Sequence, residues 1–264
     1  VREGKGVGGA PPEIRLIQSK QDIEHPPRLA TAARASAARA TATSATAASS
    51  PVRAVQAPIE GIVFDMDGTL TMADQLDFAG MRAAIGCPPK TDIIDHVKSV
   101  AREDAAEGER LEKIVSGVEL GAFENLRLQP GMVRALNEWK DAGGVRLGLS
   151  TRNCGEATAV FLEKSGLGPS FFDPLLVRYS LPVEKPRPEV LWRVSEEWDM
   201  HPSRILFVGD SKDDLACARS AGCRFALVLG PRNGHLAEAE CVDVAVRDFD
   251  ELKAFVRASS AELF

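Results

Sequence analysis

Two aspartates one residue apart, Asp65 and Asp67, close the apolar run of GIVFDMDGTLT, residues 61–71. Three other stretches set chemically capable side chains behind short apolar runs: Ser150, Thr151, Arg152 and Asn153 in LSTRN, Lys185 in EKPRPEVL, and Asp210, Asp213 and Asp214 in VGDSKDD. Carboxylates gathered in one crevice repel one another unless a cation neutralises them. A donor set made only of oxygens suits Mg2+, which keeps coordination positions open for water and for phosphate oxygens. Lys185 and Thr151 then fit as donors to that phosphate. Taken singly, each stretch has an ordinary explanation. DGT makes a turn, Lys185 is a surface lysine, and GDSKDD caps a helix whose first turn favours Asp213 through the macrodipole. Their joint occurrence at four strand ends points instead to phosphoryl chemistry.

Side chains so far apart in sequence meet only if the elements bring them together. From Ile59 onward, short β-branched runs alternate with helix-period segments, the pattern of a parallel sheet wound with helices. Strands are expected over residues 61–64, 145–149, 175–177, 205–208 and 225–228, and helices over 132–142, 156–165, 189–199, 213–221 and 251–258. Ligands of such sheets bind beyond the carboxyl ends of the strands, where all four stretches lie. Residues 72–129 contain no convincing strand and read as several helices, including DIIDHVKSV and GERLEKIVSGVELGAFENL, which makes them an inserted helical subdomain. The expected class is therefore α/β, a Rossmann-like doubly wound parallel sheet formed by residues 58–71 and 130–264. A helical cap occupies 72–129 and a disordered tail 1–57.

In order and setting, DMDGTLT, LSTRN, EKPRPEVL and VGDSKDD resemble the four motifs of the haloacid dehalogenase-like (HAD) hydrolase superfamily. The resemblance spans about Ile59 to Arg232 and is nearest to subfamily I phosphatases of the phosphoglycolate phosphatase-like group, among small plant and algal members. It implies Asp65 as the nucleophile that forms an aspartyl-phosphate intermediate, and Asp67 as the general acid/base. It also implies a metal held by Asp65, the backbone carbonyl of Asp67 and Asp210, with Asp214 in support. Thr151 takes the hydroxyl role of the second motif, and Lys185 the lysine role before Pro186 and Pro188. Many relatives carry asparagine after that threonine; here Arg152 comes first and Asn153 next, so either could contact phosphate. A dehalogenase would need neither the second aspartate nor a metal. A phosphomutase or a catalytically idle Mg2+/phosphate-binding module are the alternatives to a phosphatase. The helical insertion resembles a cap that closes over small substrates, so the expected partner is a small-molecule phosphate ester. Arg82, Lys90, His96, Lys98, Arg102, Arg110, Lys113 and Arg127 are cap residues that could read an acidic substrate.

Composition agrees with an enzyme of small ligands. The 264 residues are 44% hydrophobic and carry a formal net charge of −6, which argues against a nucleic-acid or membrane-surface footprint. Apolar runs are strand-sized, far below the roughly 20 residues of a membrane helix. Cys87, Cys154, Cys217, Cys223 and Cys241 form no C-x-x-C pair and read as reduced, mostly buried thiols, and the four histidines are scattered. Between Glu24 and Glu60 the chain has no acid and is dominated by Arg, Ala, Ser and Thr, the balance of an organelle transit peptide. Chloroplast or mitochondrion is thus the expected location, the cytoplasm otherwise, and the expected state is a monomer or weak homodimer. GKGVGG near the start satisfies G-x-G-x-x-G without a preceding strand and is set aside.

Overall fold

The computed structural model describes residues 57–260. The acid-poor segment and GKGVGG lie outside them, as does the expected disorder of the tail.

Six parallel strands form one sheet: β1 (Gly61–Phe64), β2 (Arg146–Ser150), β3 (Leu175–Leu176), β4 (Ile205–Gly209), β5 (Arg224–Val228) and β6 (Val244–Val246), in the order β3-β2-β1-β4-β5-β6. Because helices cover both faces, the strands read as continuous apolar runs instead of alternating ones. Their two faces still separate cleanly. Ile62 and Phe64 of β1, Leu206 and Val208 of β4 and Ala226 and Val228 of β5 pack in one cluster, while Val63, Ile205, Phe207, Phe225 and Leu227 pack in the other.

The first face is covered by α4 (Met132–Ala142), α5 (Gly155–Lys164) and α8 (Phe249–Ser259), through Trp139, Phe161 and Phe249. The second is covered by α6 (Glu189–Trp198) and α7 (Lys212–Ala221), through Val194, Trp198 and Ala218. Strand order steps outward in both directions from β1, so the ends of β1 and β4 face the crevice where such sheets bind ligands. Phe64 lies opposite Val208, and the Asp65 amide donates to the Val208 carbonyl at 2.9 Å.

The segment between Thr71 and Leu128 is helical, with α1 (Phe78–Ala84), α2 (Ile93–Glu103) and α3 (Ala105–Ala122). Asp92 and Asp104 cap α2 and α3, each accepting two backbone N–H groups that the helix leaves unpaired. These helices bury a third apolar cluster of Met81, Ile85, Ile93, Ile94, Val97, Leu111 and Val115. At its base, Thr71 and Leu128 form an antiparallel bridge, with Met72 N donating to Arg127 O and Gln129 N to Leu70 O at 2.9 Å each. Gln75 ties the same two strands of chain together, donating to Ala122 O and accepting from Arg127 N.

Most expected elements occur within a residue or two of their expected bounds. β6, which the sequence reading lacked, is three residues long and pairs with β5 only. The five cysteines are unbridged and three are buried. No helix among the described residues is long and apolar enough to cross a membrane.

Candidate active site

The strand ends deliver their side chains to one place. Asp65, the first residue after β1, accepts from Lys185 Nζ at 2.5 Å and from Thr69 Oγ1 at 3.2 Å. Lys185 also lies 2.8 Å from Asp214 Oδ1 and donates to the Ser150 carbonyl at 3.1 Å. One fully surrounded ammonium thus bridges the ends of β1, β2 and β4. Ligand oxygens of Asp65, Asp210 and Asp214 come within 4.8 Å of one another. Asp214 does two things at once: its Oδ2 accepts from Ser211 N and Oγ, completing a capping box at the start of α7, while Oδ1 faces Lys185. Gly209 makes room for it, since a Cβ there would sit 2.6 Å from the Asp214 Cβ.

Asp67 faces another neighbour. Its Oδ2 accepts from Asn153 Nδ2 at 2.7 Å, and its buried Oδ1 has no hydrogen-bond partner. Asn153 therefore reaches the second aspartate, whereas Arg152 pairs with Asp92 at 2.9 Å and Asp213 at 3.4 Å on the wall of the cavity above Asp65. Asp213 stands in the first turn of α7, as expected of a helix-start acid. Thr151 is buried, and its hydroxyl accepts from Asn153 N at 3.1 Å. It borders a cavity of about 20 Å³ whose lining residues Arg152 and Lys185 also line the cavity above Asp65.

The cavity above Asp65 measures about 330 Å³ and also lies above Asp67, Asp210 and Lys185. Its other wall comes from the insertion: Met72, Leu76, Phe78, Met81, Ile93 and Ile94, an apolar surface, with Arg82 beside it. Of the cap residues named from sequence, Arg82 alone borders this cavity. Lys98 pairs with Glu184, Arg110 with Glu107, Lys113 with Glu109 and Arg127 with Asp74, and His96 contacts the Ile85 carbonyl.

Four contributors were not foreseen. Arg232, exposed in the GPRNG turn, borders the cavity. Asn233 next to it donates to Asp210 O at 2.8 Å and to Val228 O at 2.9 Å, fixing the backbone that carries Asp210. Glu119 of α3 borders the cavity and is gripped by Arg178. The turn chemistry of GPRNG was a usable signal for Asn233; Glu119 carries none, because an acid in a charged helix reads as solvated.

Burial dominates the electrostatics. It pushes Asp67 up to about 8, with the Asp65 charge adding to the effect. Burial, then Asp65 and Asp214, push Asp210 up to about 8 as well. Asp65 is also raised by burial, against the pull of Lys185. Burial works on Asp214 too, yet the charge and hydrogen bond of Lys185 bring it below the usual carboxylate range. Lys185 loses to burial but gains more from Asp214 and Asp65, so its ammonium is held firmly protonated.

Four crowded carboxylates with one ammonium leave an excess of negative charge, and oxygens of three of them, Asp65, Asp210 and Asp214, converge on one point. Both features suit a hard divalent cation bound by oxygens.

Residues 59–222 match the model of the haloacid dehalogenase-like hydrolase family. An uncharacterised hydrolase of Saccharomyces cerevisiae is 33% identical over 212 residues, covering 78% of this chain and 94% of the yeast protein. Phosphoglycolate phosphatase of Vibrio parahaemolyticus is 29% identical over 231 residues, covering 78% and 99%. Among solved structures, CbbY from Rhodobacter sphaeroides in complex with phosphate superposes with a TM-score of 0.57 at 23% identity, covering 74% and 96%, a likeness of fold. The chain belongs to the haloacid dehalogenase-like hydrolases.

Proposed function

We propose that the protein is a phosphatase that hydrolyses a small phosphate monoester by way of an aspartyl-phosphate on Asp65. The observation that carries this reading is the convergence of Asp65, Asp67, Lys185 and Asp210 at the ends of β1 and β4, on the floor of one cavity. In the first half-reaction a carboxylate oxygen of Asp65 attacks phosphorus as the bond to the leaving oxygen breaks. Asp67 gives that oxygen its proton. Its position near 8 keeps it protonated at neutral pH, the state a general acid requires. In the second half-reaction water attacks phosphorus, Asp67 takes the water's proton, and Asp65 is released.

Lys185 fixes the attacking carboxylate and stands ready for a phosphate oxygen. Thr151, Arg152 and Asn153 are proposed phosphate ligands, with Asn153 also aiming Asp67. Asp65, Asp210, Asp214 and the Asp67 backbone would hold Mg2+, which would offset the charge of the phosphate when bound. Residues 72–129 serve as a cap whose apolar wall excludes water. A cavity of about 330 Å³ suits a metabolite, and the names of the bacterial relatives support 2-phosphoglycolate as a compound to try first. Organelle import of the N-terminal segment is likewise proposed; a fluorescent fusion that stays cytosolic would dismiss it.

The test is a panel of phosphorylated metabolites with wild type and Asp65→Asn in parallel, with and without chelator. Wild-type turnover should require Mg2+ and fall at least ~10³-fold in Asp65→Asn. Hydrolysis that survives either the substitution or full chelation would overturn the reading.

A further inference from the structure

Arg178 follows β3 on the core side, and its side chain is 1% exposed. Its guanidinium forks onto Glu119 of α3, with both nitrogen–oxygen distances at 2.7 Å. It also reaches Ser116 Oγ at 3.1 Å and Glu112 Oε1 at 2.9 Å, so one arginine spans the face of α3 carrying residues 112, 116 and 119. Exposed pairs such as Lys113 with Glu109 only decorate that helix. This one joins the insertion to the sheet.

A buried ion pair is poor evidence for stability, since apolar side chains of similar volume pack there equally well or better. Its position suggests another purpose. The Arg178 amide donates to the Asn153 carbonyl at 2.9 Å, and the next amide, Cys154 N, donates to Glu119 Oε2 at 3.0 Å. The peptide between Asn153 and Cys154 is therefore held from both sides by the two partners of the ion pair. From that segment Asn153 extends the one side-chain amide that reaches Asp67, whose other oxygen is unpartnered.

We propose that Glu119 and Arg178 are positioning residues for Asp67: by clamping the Asn153–Cys154 segment, they let the third helix of the insertion set the aim of the proton donor. This rests on the reading of Asp67 as general acid. Neither residue touches the reacting atoms. Seating α3 and orienting the acid become one event, because Glu119 can bind Arg178 and Cys154 N only when α3 lies against the core.

The consequence is selective. An alkoxide leaves slowly unless it is protonated, whereas 4-nitrophenolate leaves without help. Benzyl phosphate and 4-nitrophenyl phosphate are of similar size and differ in this respect, and kcat/KM covers events through departure of the alcohol. Glu119→Gln keeps shape and an acceptor for Cys154 N but weakens the fork; Arg178→Lys keeps charge and loses the fork. Each should lower kcat/KM for benzyl phosphate about tenfold or more, and for 4-nitrophenyl phosphate less than about threefold, a fraction of the roughly 10²–10⁴ that general acid catalysis supplies. Melting curves verify that both variants fold. Arg127→Gln, which breaks an exposed pair at the base of the insertion, should leave the ratio at the wild-type value.

Asp67→Asn is run alongside and should show the largest loss on benzyl phosphate. If it does, and the ratio is unchanged in both clamp variants, the positioning role is overturned while the acid assignment stands. The same holds if Arg127→Gln moves the ratio equally. An unchanged ratio in Asp67→Asn overturns the acid assignment and the clamp with it.

Discussion

Lys185 is the residue on which the charge balance of the site turns. Its ammonium lies 2.5 Å from Asp65 Oδ1 and 2.8 Å from Asp214 Oδ1, with a side chain 4% exposed. Lys185→Met would leave three carboxylates facing one another, and removing one member of a buried pair costs about 3–5 kcal/mol. The variant should melt well below wild type in chelator and recover part of the loss in Mg2+, as calorimetry would show. Equal melting points in chelator would mean that the ammonium does not offset the acids. Asp65 and Asp210 were readable because each directly follows a strand's apolar run, and a strand end has one direction to face. Asp67 and Lys185, which follow no such run directly, were readable through the order and spacing of the four motifs. Asp214 was readable as a support of the metal site, but the sequence assigned the helix-start role to Asp213, and neither the capping box that Asp214 completes nor its meeting with Lys185 was apparent. Glu119 was not readable, because it lies in a charged helix where an acid ordinarily means solvent. Arg178 directly follows the apolar run of β3, yet its meaning depends on which face of α3 meets the core.

At the scale of elements, the loop after β1 must turn sharply without blocking the end of β4. Gly68 has φ +83°, and a Cβ on it would lie 2.2 Å from Asp210 Oδ2. Gly68→Ala therefore strains the backbone and displaces a proposed metal ligand at the same time. Activity should fall at least tenfold, with the Mg2+ concentration for half-maximal rate raised. Wild-type Mg2+ dependence in a folded Gly68→Ala protein would show that Asp210 tolerates the push. The sheet itself was largely apparent from the sequence because its strands are buried on both faces and read as unbroken apolar runs. β6 was not, since Val244–Val246 is a half-buried edge of three residues behind a turn-rich stretch, too short for any period to register. The insertion was apparent as a lapse in strand rhythm, but its base depends on pairing that no local pattern announces. Thr71 meets Leu128, and Gln75 ties the Ala122 and Arg127 backbones.

Across the whole molecule, the site stores charge that makes the fold sensitive to pH when no cation is bound. Asp67 and Asp210 are pushed from 3.8 up to about 8, first by burial and then by neighbouring aspartates. In the native state they hold protons that the unfolded chain releases above about pH 4. Their contribution to stability is therefore complete below that range and is lost as pH climbs toward 8. Asp214 is shifted the opposite way, so its contribution is present above the ordinary carboxylate range and lost only in stronger acid. The thiols of Cys154 and Cys217, raised to about 11 and 12 by burial, come into play only above about pH 9. Between pH 5 and 8.5 the rising carboxylates thus act without opposition from these groups. In chelator the melting temperature should fall by several degrees across that window, at about 2–4 °C per kcal/mol for a domain of this size. A cation bound to the native site has less proton competition at the alkaline end, so saturating Mg2+ should raise the melting temperature more at pH 8.5 than at pH 5. A melting temperature independent of pH in chelator, or a larger Mg2+ effect at pH 5, would mean that the carboxylates are not crowded as their geometry requires.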